Sequence, residues 1–313
     1  MDKRKYLNPE TVAKLDNMSL RARLVVEGYL IGQHKSPYHG FSVEFAEHRA
    51  YGHGDEIRYI DWKLFGKTDR YYVKRFEEET NLRSHILLDT SQSMRFSSKS
   101  VTKLDYASYL SAALTHLMLR QKDGIGLILF DEKIKKFIPP RASKTHAKII
   151  MESLENIKVG NDTKIKTTLD HMAERIKKRG LVILISDLMD DPDQVLMGLN
   201  HFRHNKQEVI VFHIMDRQES EFNYKERIQF KDMETGEVIT TDPWHIRDAY
   251  QNQIKKFKKK YQSGCRKQRI DYIPLYTDQP LNIALNEYLN KRKKDMQYNQ
   301  GSQGYQGYDP QYD

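Results

Sequence analysis

The sequence predicts an α/β protein built on a doubly wound, mainly parallel sheet. Three observations predict it. From residue 84 onward, short apolar runs alternate with segments of helical period, the pattern of strand–helix–strand crossovers. The runs Ile86-Leu87-Leu88 and Leu181–Ile185 are apolar throughout, as strands covered on both faces are. Each of those runs opens into a polar cluster, Asp89-Thr90-Ser91-Gln92-Ser93-Met94 and Ser186-Asp187. In open α/β sheets the crevice beyond the carboxyl ends of the strands is where ligands bind.

Taken in order, residues 1–33 carry the Asn8-Pro9 turn and then Leu20, Leu24, Val25 and Tyr29 at helical spacing, which predicts one or two helices ending near Gly32. Residues 34–83 are rich in turn signals, among them Ser36-Pro37, His39-Gly40 and Gly52-His53-Gly54. This segment is expected to be irregular or β, with a strand over Arg70–Phe76. The sheet proper begins with a strand over Ser84–Leu88 and a helix over Lys103–Arg120, whose Leu104, Ala107, Leu110, Ala113, Leu114, Leu117 and Met118 form an inner face. Gly124–Phe130 reads as a strand. The link through Asp131-Glu132 is so short that Lys133–Ile138 must return antiparallel, and Pro139-Pro140 is expected to end it at a sheet edge. Ser143 caps a helix to Leu154. A loop over Gly160–Thr163 leads into a helix over Lys164–Arg179 that Gly180 stops. A strand over Leu181–Ile185, a helix over Pro192–Phe202 and a strand over Glu208–His213 follow. Helical period then lapses between Met215 and Asp242, where Glu234-Thr235-Gly236-Glu237 predicts a hairpin turn between Arg227–Lys231 and Val238–Thr240. A helix over Trp244–Tyr261, a strand over Ile270–Leu275 and a helix over Pro280–Lys294 complete the pattern. The domains expected are an N-terminal helical and irregular/β extension (1–83), the α/β domain (84–294) with a β insertion at about 216–243, and a Gln/Gly/Tyr-rich tail (295–313) of disordered composition.

Composition narrows the function classes. With 38% hydrophobic and 30% charged residues among 313, the chain is of the soluble globular kind. No apolar stretch approaches the roughly 18 residues of a membrane span. The N-terminus shows no signal-peptide core, and the single cysteine, Cys265, excludes an intramolecular disulfide, so a cytoplasmic location is expected. The net charge of +9 is concentrated: residues 244–294 hold 13 Lys/Arg against four Asp/Glu, centred on Lys255, Lys256, Lys258, Lys259 and Lys260. A run of this kind is either a solvated helix face or a surface for an acidic partner. It has no aromatic interleaving, and the chain has no helix-turn-helix or zinc-finger spacing. No Gly-x-x-x-x-Gly-Lys-Ser/Thr loop is present for ATP. His39 and His53 have no third metal ligand at a sensible spacing.

Asp89, Ser91 and Ser93 alternate, so a loop curling over the strand end can turn all three inward. A carboxylate with hydroxyls and water suits a hard divalent ion such as Mg²⁺, with Mn²⁺ or Ca²⁺ as alternatives. The plainer reading is that Asp89 caps a turn and the serines bond backbone. Thr163 and Asp187 add a third hydroxyl and a second carboxylate on loops that a doubly wound sheet can bring to the same rim. Thr167 and Thr168 compete with Thr163, and Asp190 and Asp191 with Asp187.

This constellation resembles the metal-ion-dependent adhesion site of von Willebrand factor A domains. There the two serines and the threonine bind Mg²⁺ directly or nearly so, and the aspartates act largely through water. One coordination position is left for an acidic residue of a protein partner. Upstream, Arg49-x-Tyr51-x-x-Gly54-Asp55, Arg58-x-Ile60-Asp61-Trp62, Phe76-x-x-Glu79 and Ser36-Pro37-x-x-Gly40 with Glu44-Phe45 resemble the bacterial domain-of-unknown-function 58 family, which joins such a block to a von Willebrand A-like domain. The resemblance covers roughly residues 15–290. It implies a non-catalytic interaction module working with a MoxR-type AAA+ ATPase. The sequence departs from the family in the threonine loop, where Asn161-Asp162-Thr163 replaces a Gly-Gly-Thr-like run. The upstream Gly54–Trp62 block reads as structural or as a second partner surface.

Two other classes fit parts of the sequence. A haloacid dehalogenase-like phosphatase also places an aspartate after an apolar strand, but needs a second one two residues on as general acid. Ser91 stands there, and a hydroxyl cannot take that role. A basic nucleic-acid-binding protein would rest on residues 244–294 alone.

Overall fold

A computed structural model describes residues 3–33, 48–52, 62–74, 82–160, 165–224, 228–231 and 238–290. A short 3₁₀ turn at Lys3–Leu7 leads into α1 (Pro9–Ala13) and α2 (Met18–Gln33). Then come β1 (His48–Ala50), α3 (Trp62–Thr68), β2 (Tyr72–Lys74) and β3 (Arg83–Asp89). Next are α4 (Lys103–Arg120), β4 (Gly124–Phe130), β5 (Ile134–Arg141), α5 (Lys144–Glu155), α6 (Ile165–Arg175) and β6 (Leu181–Ser186). The chain continues through α7 (Pro192–His204), β7 (Glu208–Met215), α8 (Arg217–Glu221), β8 (Ile228–Lys231), β9 (Val238–Thr241), α9 (Pro243–Lys267), β10 (Asp271–Tyr276) and a last helix, α10, over 282–290.

Six strands form one sheet in the order β10-β7-β6-β3-β4-β5, parallel except for β5. This is the doubly wound arrangement expected from the sequence. The order reverses between β3 and β6, so their carboxyl ends flank the topological switch point. Because strand side chains alternate with period two, the sheet feeds two separate cores. Ile86, Leu88, Ile183, Ile185, Ile210 and Phe212 pack on one face with α4, α5 and α10. Leu87, Val182, Leu184, Val209 and Val211 pack on the other with α6, α7 and the Tyr261–Cys265 stretch of α9. Each aliphatic side chain fully withdrawn from water contributes on the order of 1.5–3 kcal/mol before chain entropy is counted.

The compact units divide differently from the boundary expected at residue 83. Residues 1–32 group with 82–313, and 33–81 form the second unit. Val12, Met18, Ala22, Val25, Val26 and Tyr29 belong to the first of the two cores, so α1 and α2 are part of a helical layer and not an extension. In the smaller unit β1 pairs antiparallel with β2. Trp62–Thr68 is helical where irregular or β structure was expected. Its Phe65 ring stacks on Tyr71 at 4.5 Å, a contact invisible to a local pattern. Most of the Gly54–Trp62 block, His39, His53 and the tail after 294 lie outside the described residues.

The prolines do not end β5, which runs through Pro139-Pro140 to Arg141. It is an edge strand with register irregularities, where a missing N–H is tolerated. Gly126 of β4 allows this close pairing, since a Cβ there would lie 2.5 Å from the Ile138 carbonyl oxygen. The other edge strand, β10, also carries a proline, Pro274. The β8–β9 hairpin forms as expected within the insertion, preceded by the unpredicted five-residue α8. The basic helix α9 extends to Lys267, six residues beyond the expected end.

Candidate functional site

The site is built where β3 and β6 end. Asp89 is the last residue of β3 and fully buried. Its Oδ1 accepts from the Ser91 backbone N–H at 2.9 Å, which bends the chain out of the strand. Its Oδ2 accepts from the Ser186 hydroxyl at 2.6 Å, joining the ends of the two strands. Ser186 Oγ in turn accepts from the Leu188 N–H at 2.9 Å. Leu188 is buried with φ 54°, a left-handed backbone that a branched side chain seldom adopts. The Tyr261 hydroxyl donates to its carbonyl at 3.0 Å and helps hold the turn.

The Ser91 and Ser93 hydroxyls lie 3.1 Å apart. Ser93 stands near the Asp187 carboxylate and helps to lower its pKa. Asp187 is buried and sits one residue beyond β6. The charge of Asp187 acts on Asp89, and the two carboxyls respond oppositely. Burial, with Asp187 beside it, pushes the Asp89 carboxyl up to about 7. Asp187 is just as buried, but the Lys103 ammonium beside it outweighs that and holds its carboxyl below the usual range. Lys103 Nζ lies 2.8 Å from Asp187 Oδ2 and 2.9 Å from Glu219 Oε1, and the lysine side chain is only 1% exposed. Its pKa is driven upward because these two anions outweigh the cost of burial.

Neighbouring loops are tied to the same rim. Ser98, in the loop after β3, donates from its N–H (2.9 Å) and its hydroxyl (2.7 Å) to Asp216, just past β7. Asp216 and Glu219 form the capping box of α8, which aims Glu219 at Lys103. His213 is buried and neutral, its pKa lowered to about 4 by burial, and its Nδ1 is 2.6 Å from the Tyr272 hydroxyl.

The structure therefore brings together Asp89, Ser91, Ser93 and Asp187. Thr163 lies outside the described residues, but both flanks of its loop reach the rim. The Gly160 N–H donates to the Thr90 carbonyl at 3.0 Å, and the Ile165 N–H to Asp190 Oδ2 at 2.9 Å. A Cβ at Gly160 would run into the Asp131 carboxylate and Lys135, so the loop needs glycine there. Asp190 is occupied in holding that loop. Thr168 lies inside α6 and donates to backbone carbonyls of the Asp131-Glu132 turn, away from the serines.

Two neighbouring oxygens in an octahedral Mg²⁺ shell, each about 2.1 Å from the ion, lie about 3.0 Å apart. The Ser91 and Ser93 hydroxyls hydrogen-bond each other at 3.1 Å, close enough to share one shell, and all the donors are oxygens. The residues present thus fit a hard divalent ion. Among the described residues no three His, Cys, Asp or Glu side chains converge as a metal cluster, so such an ion would depend on the hydroxyls.

Sequence reasoning missed Lys103 and Glu219. One signal was available for the lysine. It occupies the first turn of α4, where the helix dipole favours acidic residues, so a cation there needs anions near it.

Beside the rim, Met189 and Pro192 face Gln253, Ile254, Lys256, Phe257 and Lys260 of α9 across a shallow groove of about 330 Å³. Lys260 pairs with Asp193 at 2.7 Å. No helix among the described residues is long and apolar enough to cross a membrane.

A buried polar centre thus lies at the switch point of a doubly wound α/β sheet that an antiparallel strand closes at one edge. Residues 47–260 match the family described as Protein of unknown function DUF58, and the chain belongs to that family. An uncharacterized protein of Mycobacterium bovis is 24% identical over 250 residues, covering 78% of this chain and 77% of the relative. Uncharacterized proteins of Mycobacterium tuberculosis match to the same extent. Among solved structures, an aerotolerance-related membrane protein from Bacteroides fragilis aligns with TM-score 0.44 and 20% identity over 66% of this chain and 98% of that one. The von Willebrand A domain of SpRpn10 aligns with TM-score 0.38 and 12% identity over 65% and 93%.

Proposed function

We propose that this chain is a non-catalytic, Mg²⁺-dependent protein-interaction module whose ion is held by Ser91, Ser93 and Thr163, with Asp89 and Asp187 behind them. The observation that carries the reading is the meeting of two serine hydroxyls and two buried aspartates from separate strands at the switch point. The ion would supply a charge-dense anchor with a coordination position open to an acidic residue of the partner. The protein's own part is to hold the hydroxyls on a loop that Asp89 and Ser186 brace from beneath. The adjoining groove supports an acidic partner, since Lys256 rims an apolar floor of Met189, Ile254 and Phe257. A MoxR-type AAA+ ATPase is the partner proposed, a choice that rests on family resemblance alone.

Isothermal titration of Mg²⁺ into the wild type and Asp89→Ala tests the site. The wild type is expected to bind and the variant to lose at least tenfold in affinity, and equal affinity ends the reading. A pull-down from the native cell in Mg²⁺ or in EDTA tests the partner. The ATPase is expected only in the Mg²⁺ arm.

A further inference from the structure

One of the two carboxylates behind the hydroxyls is already paired within the chain itself. Asp187 Oδ2 faces the Lys103 ammonium at 2.8 Å, and a second anion, Glu219, holds the same nitrogen at 2.9 Å. Lys103 is fully buried at the first turn of α4, and the Phe96 ring lies 5.7 Å from its nitrogen. Among the described residues the ion-pair partners of this ammonium are Asp187 and Glu219. Removing a buried ammonium from its partners without replacing them is strongly disfavoured.

From this geometry we infer that Lys103 is a tethered cation that competes with the divalent ion for Asp187, and that Glu219 anchors it. Together the two residues set the site's affinity and its preference for ion charge. The inference rests on the cation-site reading above. Asp187 Oδ1 accepts a 3.3 Å bond from the Met189 N–H while Oδ2 is taken by Lys103, so Asp187 can give both oxygens to a divalent ion or its water only as the contact with Lys103 loosens. A divalent ion beside Ser91 and Ser93 also meets the positive charge of Lys103, which weakens the pull of Asp187 on it. Asp187 is therefore already paired without metal, and the site takes up the ion only at concentrations high enough to displace the ammonium or on arrival of a partner carboxylate that adds a further anion.

Mg²⁺ titration into the wild type and into Lys103→Met/Glu219→Gln tests this. The double variant removes one cation and one anion, so the local net charge is kept while Asp187 is freed. It is expected to bind Mg²⁺ at least tenfold more tightly than the wild type. Equal or weaker binding overturns the inference and leaves the cation site standing, whereas no binding by either protein overturns both. Should the double variant fail to fold, the wild type labelled at lysine ¹⁵Nζ decides the matter. The Lys103 signal, identified by its loss in Lys103→Arg, is expected to shift in step with the binding heat. A signal that stays fixed while Mg²⁺ binds overturns the inference.

Discussion

The ends of β3 and β6 carry the same residue type at the same depth, and the two behave as opposites. Asp89 is braced by neutral donors, a serine hydroxyl and a backbone N–H, and burial pushes its carboxyl up to about 7. Asp187 faces an ammonium and stays ionised. Burial alone predicts one outcome for both, and the nearest partner decides between them. What this teaches is that a pair of strand-end aspartates is one unit with a single net charge, set by Lys103.

The largest break in that asymmetry comes from removing its source. Lys103→Met leaves Asp187 and Glu219 facing each other in a buried site, and it is expected to lower the unfolding free energy by about 3–5 kcal/mol in urea denaturation. A loss below about 1 kcal/mol would mean that the ammonium is not what neutralises them. The comparison sharpens with paired substitutions. Asp89→Asn keeps the acceptor for the Ser91 N–H and loses no ion pair, so it is expected to cost within about 1 kcal/mol. Asp187→Asn strips Lys103 of its better-buried partner and is expected to cost about 2–3 kcal/mol more than Asp89→Asn. Equal costs would erase the distinction.

A smaller effect probes the other response to burial on the same strand. His85 has its pKa lowered to about 4 by burial, with Arg83 adding to the effect. The native state therefore binds fewer protons than the unfolded chain between the ordinary value of 6.5 and about 4. The stability this histidine allows is full above 6.5 and is lost as pH falls toward 4. His85→Met is expected to gain on the wild type by on the order of 2 kcal/mol between pH 7 and about 4.5, read from urea midpoints at each pH. A constant difference across that range would refute the assignment.

Much of the fold was legible because the buried strands have one-sided chemistry. Leu181–Ile185 has no polar residue to place, so it admits only a strand covered on both faces. Ser143 and Pro192 marked helix starts, and the structure keeps both. The edge strand was misjudged at Pro139-Pro140 because proline forbids only the hydrogen bonds that a central strand needs. At the site, Asp89, Ser91 and Ser93 share one loop and could be seen together. Asp187 needed the strand order, which a crossover pattern supplies. Lys103 and Glu219 stayed hidden because each reads locally as an ordinary helix residue. Their charges are meaningful only as a pair 116 positions apart in the chain.

The prolines of the two border strands have a consequence for assembly. Pro139 and Pro140 at one margin and Pro274 at the other interrupt the ladder of free amides that a new strand would need. The sheet cannot readily grow sideways by annealing to another copy or to an extended peptide. Strand addition is thereby disfavoured from either side of the sheet.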